Sequence, residues 1–142
     1  MSILEVTDSI LPSLRHNATQ IAADGRDGRD ILWTVSKPPP DTQRPYGWIR
    51  VVGEPRPALP GMEETQVQLD MWGPRWQIAE FADAIDWLRW CPIGDFGVLR
   101  GLYFQRESRN ILEDPDLSGI AHLSDLYTAR YLSVTRMEAA MS

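Results

Sequence analysis

Cysteine is almost missing: Cys91 stands alone in 142 residues. It can close no internal disulfide and build no cysteine metal site. Histidine is nearly as scarce, with His16 and His122 far apart and neither in a metal-ligand spacing. Lysine is reduced to Lys37, so the other thirteen of fourteen basic residues are arginine. No Gly-x-x-x-x-Gly-Lys-Ser/Thr loop, Gly-x-Gly-x-x-Gly turn, Gly-x-Ser-x-Gly elbow or His-Glu-x-x-His pair occurs, which removes the common nucleotide, hydrolase and zinc-enzyme readings. No apolar run approaches the ~20 residues of a membrane span. Glu5 and Asp8 make the start acidic, unlike a secretory n-region, so an intracellular protein without a membrane partner is expected. Positive charge is also in deficit. Fourteen basic against twenty acidic residues leave a net charge of -6, which excludes a general electrostatic grip on nucleic acid while leaving a local basic patch open.

What is present is an ordinary globular composition, 43% hydrophobic and 24% charged. The length fits one domain, residues 1–142, and a domain of that size buries roughly two thirds of its unfolded surface without needing a disulfide or metal.

Ile10, Leu11, Leu14, Ala18, Ile21 and Ala22 fall on one side at ~100° per residue, which predicts a first helix. Proline costs least in a first turn, so Ser9 as N-cap with Pro12 just inside is the expected start; a start at Thr7 or Asp8 would kink the helix at Pro12. Asp24-Gly25-Arg26-Asp27-Gly28 reads as a solvated turn. Strands are expected at Ile31–Val35, Tyr46–Val52 and Thr65–Trp72; in the third, Val67, Leu69 and Met71 alternate with polar neighbours. A second helix is expected over Arg75–Trp90, and two more strands over Leu99–Arg106 and Tyr127–Val134, with Asn110–Ser124 a loop. The order predicts an α+β domain: a mostly antiparallel sheet of about five strands with two main helices on one face.

Few residues suggest chemistry. A Cys91/His122 pair would need a lowered thiol pKa and an oriented base, and nothing in the sequence supplies either. His16 reads as a surface residue and His122 as a loop contact. Glu113-Asp114-Pro115-Asp116 gathers carboxylates but matches no EF-hand spacing, and Asp-Pro-Asp is an ordinary turn former. No catalytic residue, metal or cofactor is expected. The second helix is less ordinary: Ile78, Phe81, Ala82, Ile85 and Leu88 form its inward stripe, while Trp76, Trp87 and Trp90 project to the other side beside Glu80 and Asp83. Either another subunit or a loop or tail of the same chain must cover such a face; Trp76, Asp83, Trp87 and Trp90 are the candidate subunit contacts. Glu54–Glu64 reads as an eleven-residue proline-rich connection, either idle or a docking loop through Pro55, Arg56, Pro57, Leu59 and Pro60. Arg100, Arg106 and Arg109 cluster around the fourth strand, where pairing with a neighbour's carboxylates is the natural use, and Arg26, Arg29 and Arg44 flank the early loops.

Over nearly its whole length this pattern resembles the tail terminator, or tail completion, proteins of long-tailed bacteriophages and phage-like particles. The likeness is carried by the N-terminal helix, Pro45-Tyr46-Gly47-Trp48-Ile49-Arg50-Val51-Val52-Gly53, the strand Thr65–Trp72, the helix Gln77–Ile85, Leu102-Tyr103-Phe104, Glu113-Asp114-Pro115-Asp116 and the last strand Tyr127–Val134. The tryptophan face and the Glu54–Glu64 segment have no counterpart in it. The resemblance implies a non-enzymatic virion protein whose subunits form a ring, expected to be a hexamer. That ring would cap the finished tail tube at the head-proximal end after assembly in the host cytoplasm. Its implied partners are its own copies, the tail tube protein and a neck or head-completion protein, with DNA only in transit through the channel. A neck or head-tail connector ring is the alternative from the same biology, and a small cytosolic α+β enzyme or effector the alternative of another class.

Overall fold

The computed structural model describes residues 3–34, 36–57, 61–86, 99–115 and 117–133. The chain runs α1 (Ile3–Ala22), α2 (Gly28–Ile31), β1 (Leu32–Trp33), β2 (Tyr46–Pro57), β3 (Met62–Pro74), α3 (Arg75–Ile85), β4 (Leu99–Glu113) and β5 (Ile120–Ser133). The strands form one sheet in the order β1-β2-β3-β5-β4; β1 runs parallel to β2, and every other pairing is antiparallel. The fold is therefore α+β, as the element order predicts.

Side chains alternate across a strand, and β3 and β5 use that alternation to build the core. Val67 stands opposite Tyr127 and Met71 opposite Leu123, all buried on one face. Onto that face α3 lays Ile78, Phe81, Ala82 and Ile85, while α1 contributes Leu11, Leu14, Ala18 and Ala22 to the same cluster. Among the described residues, the opposite face of the sheet carries no helix.

Four boundaries differ from the sequence reading. Helix α1 begins at Ile3, so Pro12 lies inside it; the proline is exposed and the stripe Leu11, Leu14, Ala18, Ala22 continues past it without a change of phase. The supposed loop Glu54–Glu64 is mostly strand. Gly53, at φ 81°, bridges a register shift between Val52 and Arg56, after which Arg56 pairs with Glu64 and Pro57 with Glu63. Prolines are tolerated there because, among the described residues, β1 pairs only with Gly47 and Trp48, leaving the far end of β2 as an edge. Leu59 and Pro60 lie outside the described residues. Asn110–Ser124 is likewise a hairpin: β4 runs to Glu113, β5 starts at Ile120, and the Asp114 N–H donates to the Ile120 carbonyl at 2.8 Å. The first strand shrinks to Leu32–Trp33 behind the short α2, whose N-cap Asp27 accepts from the Arg29 N–H at 2.9 Å. The second predicted helix is described only to Ile85, before Trp87 and Trp90.

Gly28 is not a solvated turn residue. It is buried, and a Cβ at this position would run into the backbone of Arg15, with the Arg15 Cα 2.8 Å away. Backbone cannot step aside as a flexible side chain does, so Gly28→Ala should force α1 and α2 apart. The expected loss is ~1–3 kcal/mol, the usual cost of overpacking, read as a lower urea midpoint at unchanged slope. A midpoint at or above wild type would show that the two helices separate freely.

Candidate functional site

Three surfaces gather the residues with unusual environments. The first surrounds the start of α3. Trp76 is 61% exposed there, and Asp83 is exposed two turns along the same side. The Arg75 N–H donates to the Gly119 carbonyl at 3.2 Å, and its guanidinium meets Glu113 at 3.1 Å, which ties this helix end to the β4–β5 hairpin. That hairpin exposes Ile111, Leu112 and Leu117. Exposed large apolar groups gathered at one end of a molecule are the usual mark of a contact surface. Of the tryptophan face foreseen on this helix, Trp76 and Asp83 are placed and accessible; Trp87 and Trp90 lie outside the described residues.

The second surface is the helix-free face of the sheet. Asp70, on β3, is nearly buried between its neighbours: Arg50 of β2 reaches it at 3.1 Å and His122 of β5 at 2.9 Å. His122 stacks on Trp72 with ring centroids 4.5 Å apart, Trp72 stacks on Tyr46 at 5.2 Å, and the Arg50 guanidinium covers Trp48 at 4.0 Å. His122 is thus a strand residue locked in a hydrogen-bond and stacking network rather than a loop contact. Towards the β2–β3 hairpin, Glu64 bridges Arg56 at 2.6 Å and Arg130 at 3.2 Å, so Arg56, foreseen as a docking residue, is tethered to its own sheet. Hydrogen bonds from Arg130 and Arg56 hold the Glu64 carboxyl below its ordinary range, against the opposing pull of burial.

Burial works to raise the pKa of Asp70, but hydrogen bonds from His122 and Ser124 and the charges of His122 and Arg50 outweigh it, holding the carboxyl below its ordinary range. A carboxyl depressed in the fold adds stability that is fully present above its unfolded pKa of ~3.9 and disappears as pH falls through the lower folded value. Asp70→Asn should therefore lose stability at pH 7 and show a flatter acid limb below about pH 4 in a urea-midpoint series. Parallel curves for the two proteins would remove Asp70 as a source of that pH dependence.

The third surface is a cleft of ≈ 550 Å³ at the β1 edge, where Arg15 of α1 and Arg29 of α2 approach Leu32, Trp33, Thr34 and Ser36. The Arg15 Nε and the Trp33 indole N–H are buried and have no acceptor among the described residues. Arg26 belongs to the adjoining loop, donating to the Gln43 and Pro45 carbonyls at 2.9 and 3.2 Å.

Beneath these surfaces, on the helix side, Arg106 and Arg109 pair within their own chain, not with a neighbour. Arg109 holds the fully buried Asp125 through two bonds of 2.8 Å, and the Tyr127 hydroxyl donates to the same carboxylate at 2.8 Å. Asp86, at the C-terminal end of α3, meets Arg106 at 2.6 Å and Arg109 at 3.0 Å. A carboxylate opposes the helix dipole at that end, and the two guanidiniums offset it. Burial and then Asp125 push the Tyr127 hydroxyl well above the usual tyrosine range. The sequence reading leaves out Asp125 and puts Asp70 with Gln66 and Gln68 on a wet face, where it is in fact buried; the partners of both appear only once the strands are in register.

Among the described residues no three metal-ligating side chains converge. Cys91 and Asp116 lie outside those residues.

No known protein family matches the sequence, and no curated protein does. The fold does have a likeness among solved structures. A chain from the virion of a native gene transfer agent particle superposes with a TM-score of 0.59 at 11% identity, covering 91% of this chain and 96% of that one. Both chains thus share one fold from end to end. No helix among the described residues is long and apolar enough to cross a membrane.

Proposed function

We propose that this chain is a structural virion protein, a tail-terminator-like subunit whose ring caps a phage-type tail tube at its head-proximal end. The observation that carries the reading is the near-complete overlap with a subunit of a gene transfer agent virion, 91% of one chain on 96% of the other. A likeness confined to a common substructure would leave unmatched elements on both sides. The exposed Trp76 and the apolar β4–β5 hairpin support an assembling subunit, because a large apolar group left in water is best explained by a partner that covers it. In this reading Trp76, Asp83, Trp87 and Trp90 contribute to the contact between copies, and the β2–β3 hairpin, with Pro55, Arg56, Pro57, Leu59 and Pro60, meets the tube or neck. The protein works without turnover or cofactor, and a net charge of -6 suits a channel that DNA must traverse without adhering.

Sedimentation velocity across a concentration series, followed by electron microscopy of the chain mixed with isolated tail tubes, tests this. The expected result is a closed ring, a hexamer in this reading, seated on the tube end. Rings that bind portal-bearing heads and ignore tubes would make the protein a neck connector instead. A monomer that binds neither would end the virion reading.

A further inference from the structure

Arg15 and Trp33, which line the cleft at the β1 edge, each carry a donor with nothing to bond among the described residues. The Arg15 Nε and Trp33 indole N–H are both buried without an acceptor, and a buried donor left so is costly enough to call for a missing partner. Neither Arg15 nor Arg29 enters an ion pair among the described residues. The fork of a guanidinium matches the two oxygens of a carboxylate. Asp30 also lines the cleft, so its local surplus of positive charge is small. That surplus is too small for a polyanion, which needs many phosphate contacts, but is adequate for one carboxylate. The half-buried Trp33 adds an apolar wall, so the fitting ligand is an acidic side chain carried among apolar ones.

The chain displays such a ligand at its other end. Glu113 is 69% exposed, with exposed Ile111 on its strand and exposed Leu117 in the turn that follows. Its bond to Arg75 at 3.1 Å joins two solvated side chains, a weak tie that a better partner can displace. The strand order β1-β2-β3-β5-β4 sets three strands between the β4 that carries Glu113 and the β1 that lines the cleft, so Glu113 lies across the sheet from its own cleft. We propose that Glu113, flanked by Ile111 and Leu117, docks into the Arg15–Arg29–Trp33 cleft of a second copy of this chain. The contact joins two different patches, so it repeats head to tail and closes into a ring when the rotation per step allows. It rests on the ring reading above and names the two surfaces that meet.

A charge swap tests it. Arg15→Glu puts a carboxylate in the cleft and Glu113→Arg puts a cation on the hairpin. Each variant alone is expected to associate about 10-fold or more weakly than wild type, at unchanged circular dichroism and urea midpoint. Mixed one to one, each finds a complementary patch on the other, and assembly should return. Arg29→Glu, at the exposed rim, serves in place of Arg15→Glu if that variant does not fold. Wild-type rings together with unimpaired single variants, or folded variants that do not rescue each other, would overturn this contact and leave the ring reading standing. A wild-type chain that remains monomeric at every concentration removes the ring reading and the contact with it.

Discussion

Arg109→Met is expected to cost about 3–5 kcal/mol of folding stability, the usual loss when one member of a buried ion pair is removed. Arg109 supplies two of the bonds to Asp125, whose side chain has no exposed surface, and the Tyr127 hydroxyl alone would be left to satisfy it. The same change strips one of two cations from Asp86 at the end of α3, so strand and helix loosen together. A domain has only about 5–15 kcal/mol in all, so the variant should unfold at a much lower urea concentration or express as an unfolded chain. Arg109→Met combined with Asp125→Leu removes both charges and should recover part of the loss, since paired apolar groups need no solvation. Arg109→Lys keeps the charge but loses the planar fork and should fall between. A single Arg109→Met change costing under ~1 kcal/mol, as an exposed pair would, means that water reaches Asp125.

This cluster also marks where sequence reading ends. Val67, Leu69 and Met71 announce β3 through their alternation, and Ile78, Phe81, Ala82 and Ile85 announce α3 through their helical period, because both patterns are local and the core uses them unaltered. Glu63, Thr65 and Asp125 occupy the same inward parity, yet their polarity reads as a wet face or a strand end. Only the pairing of Glu63 with Tyr131 and of Asp125 with Arg109 makes them core residues. Those partners lie 68 and 16 positions away, beyond any local pattern. The same limit explains the two misread loops. Pro55 and Pro57 suggest irregular backbone until the edge position of that part of β2 is known, and Asp114, Pro115 and Gly119 lie in a connection whose strands reach much further than their apolar residues suggest. Of the candidate surfaces, the outward side of α3 was legible because a helical projection needs one element only. The cleft at the β1 edge was not, because α1, α2 and β1 must meet before it exists.

The two faces of α3 should separate cleanly under mutation. Phe81 is 1% exposed and lies in the cluster that joins α1, α3 and the sheet, so Phe81→Ala removes a ring from the core itself. Transfer and cavity terms together put the expected loss at ~3–5 kcal/mol, with the upper part of that range reached if the helices cannot close on the void. Trp76 sits on the same helix at 61% exposure, and truncating it exposes little new apolar surface in the isolated chain. Trp76→Ala should therefore leave the urea midpoint within about 0.5 kcal/mol of wild type. Its effect belongs to assembly, where losing a central aromatic anchor typically costs ~2 kcal/mol or more at each contact. The proposed ring would repeat that contact at every subunit, so a modest loss per contact would become a large shift from rings to monomers at fixed concentration. Denaturation and sedimentation measured on the same two variants give the comparison: Phe81→Ala should lose folding first, and Trp76→Ala should lose assembly alone. If Trp76→Ala instead lowers the urea midpoint as far as Phe81→Ala does, the tryptophan is covered by its own chain and the outward face of α3 is no subunit contact.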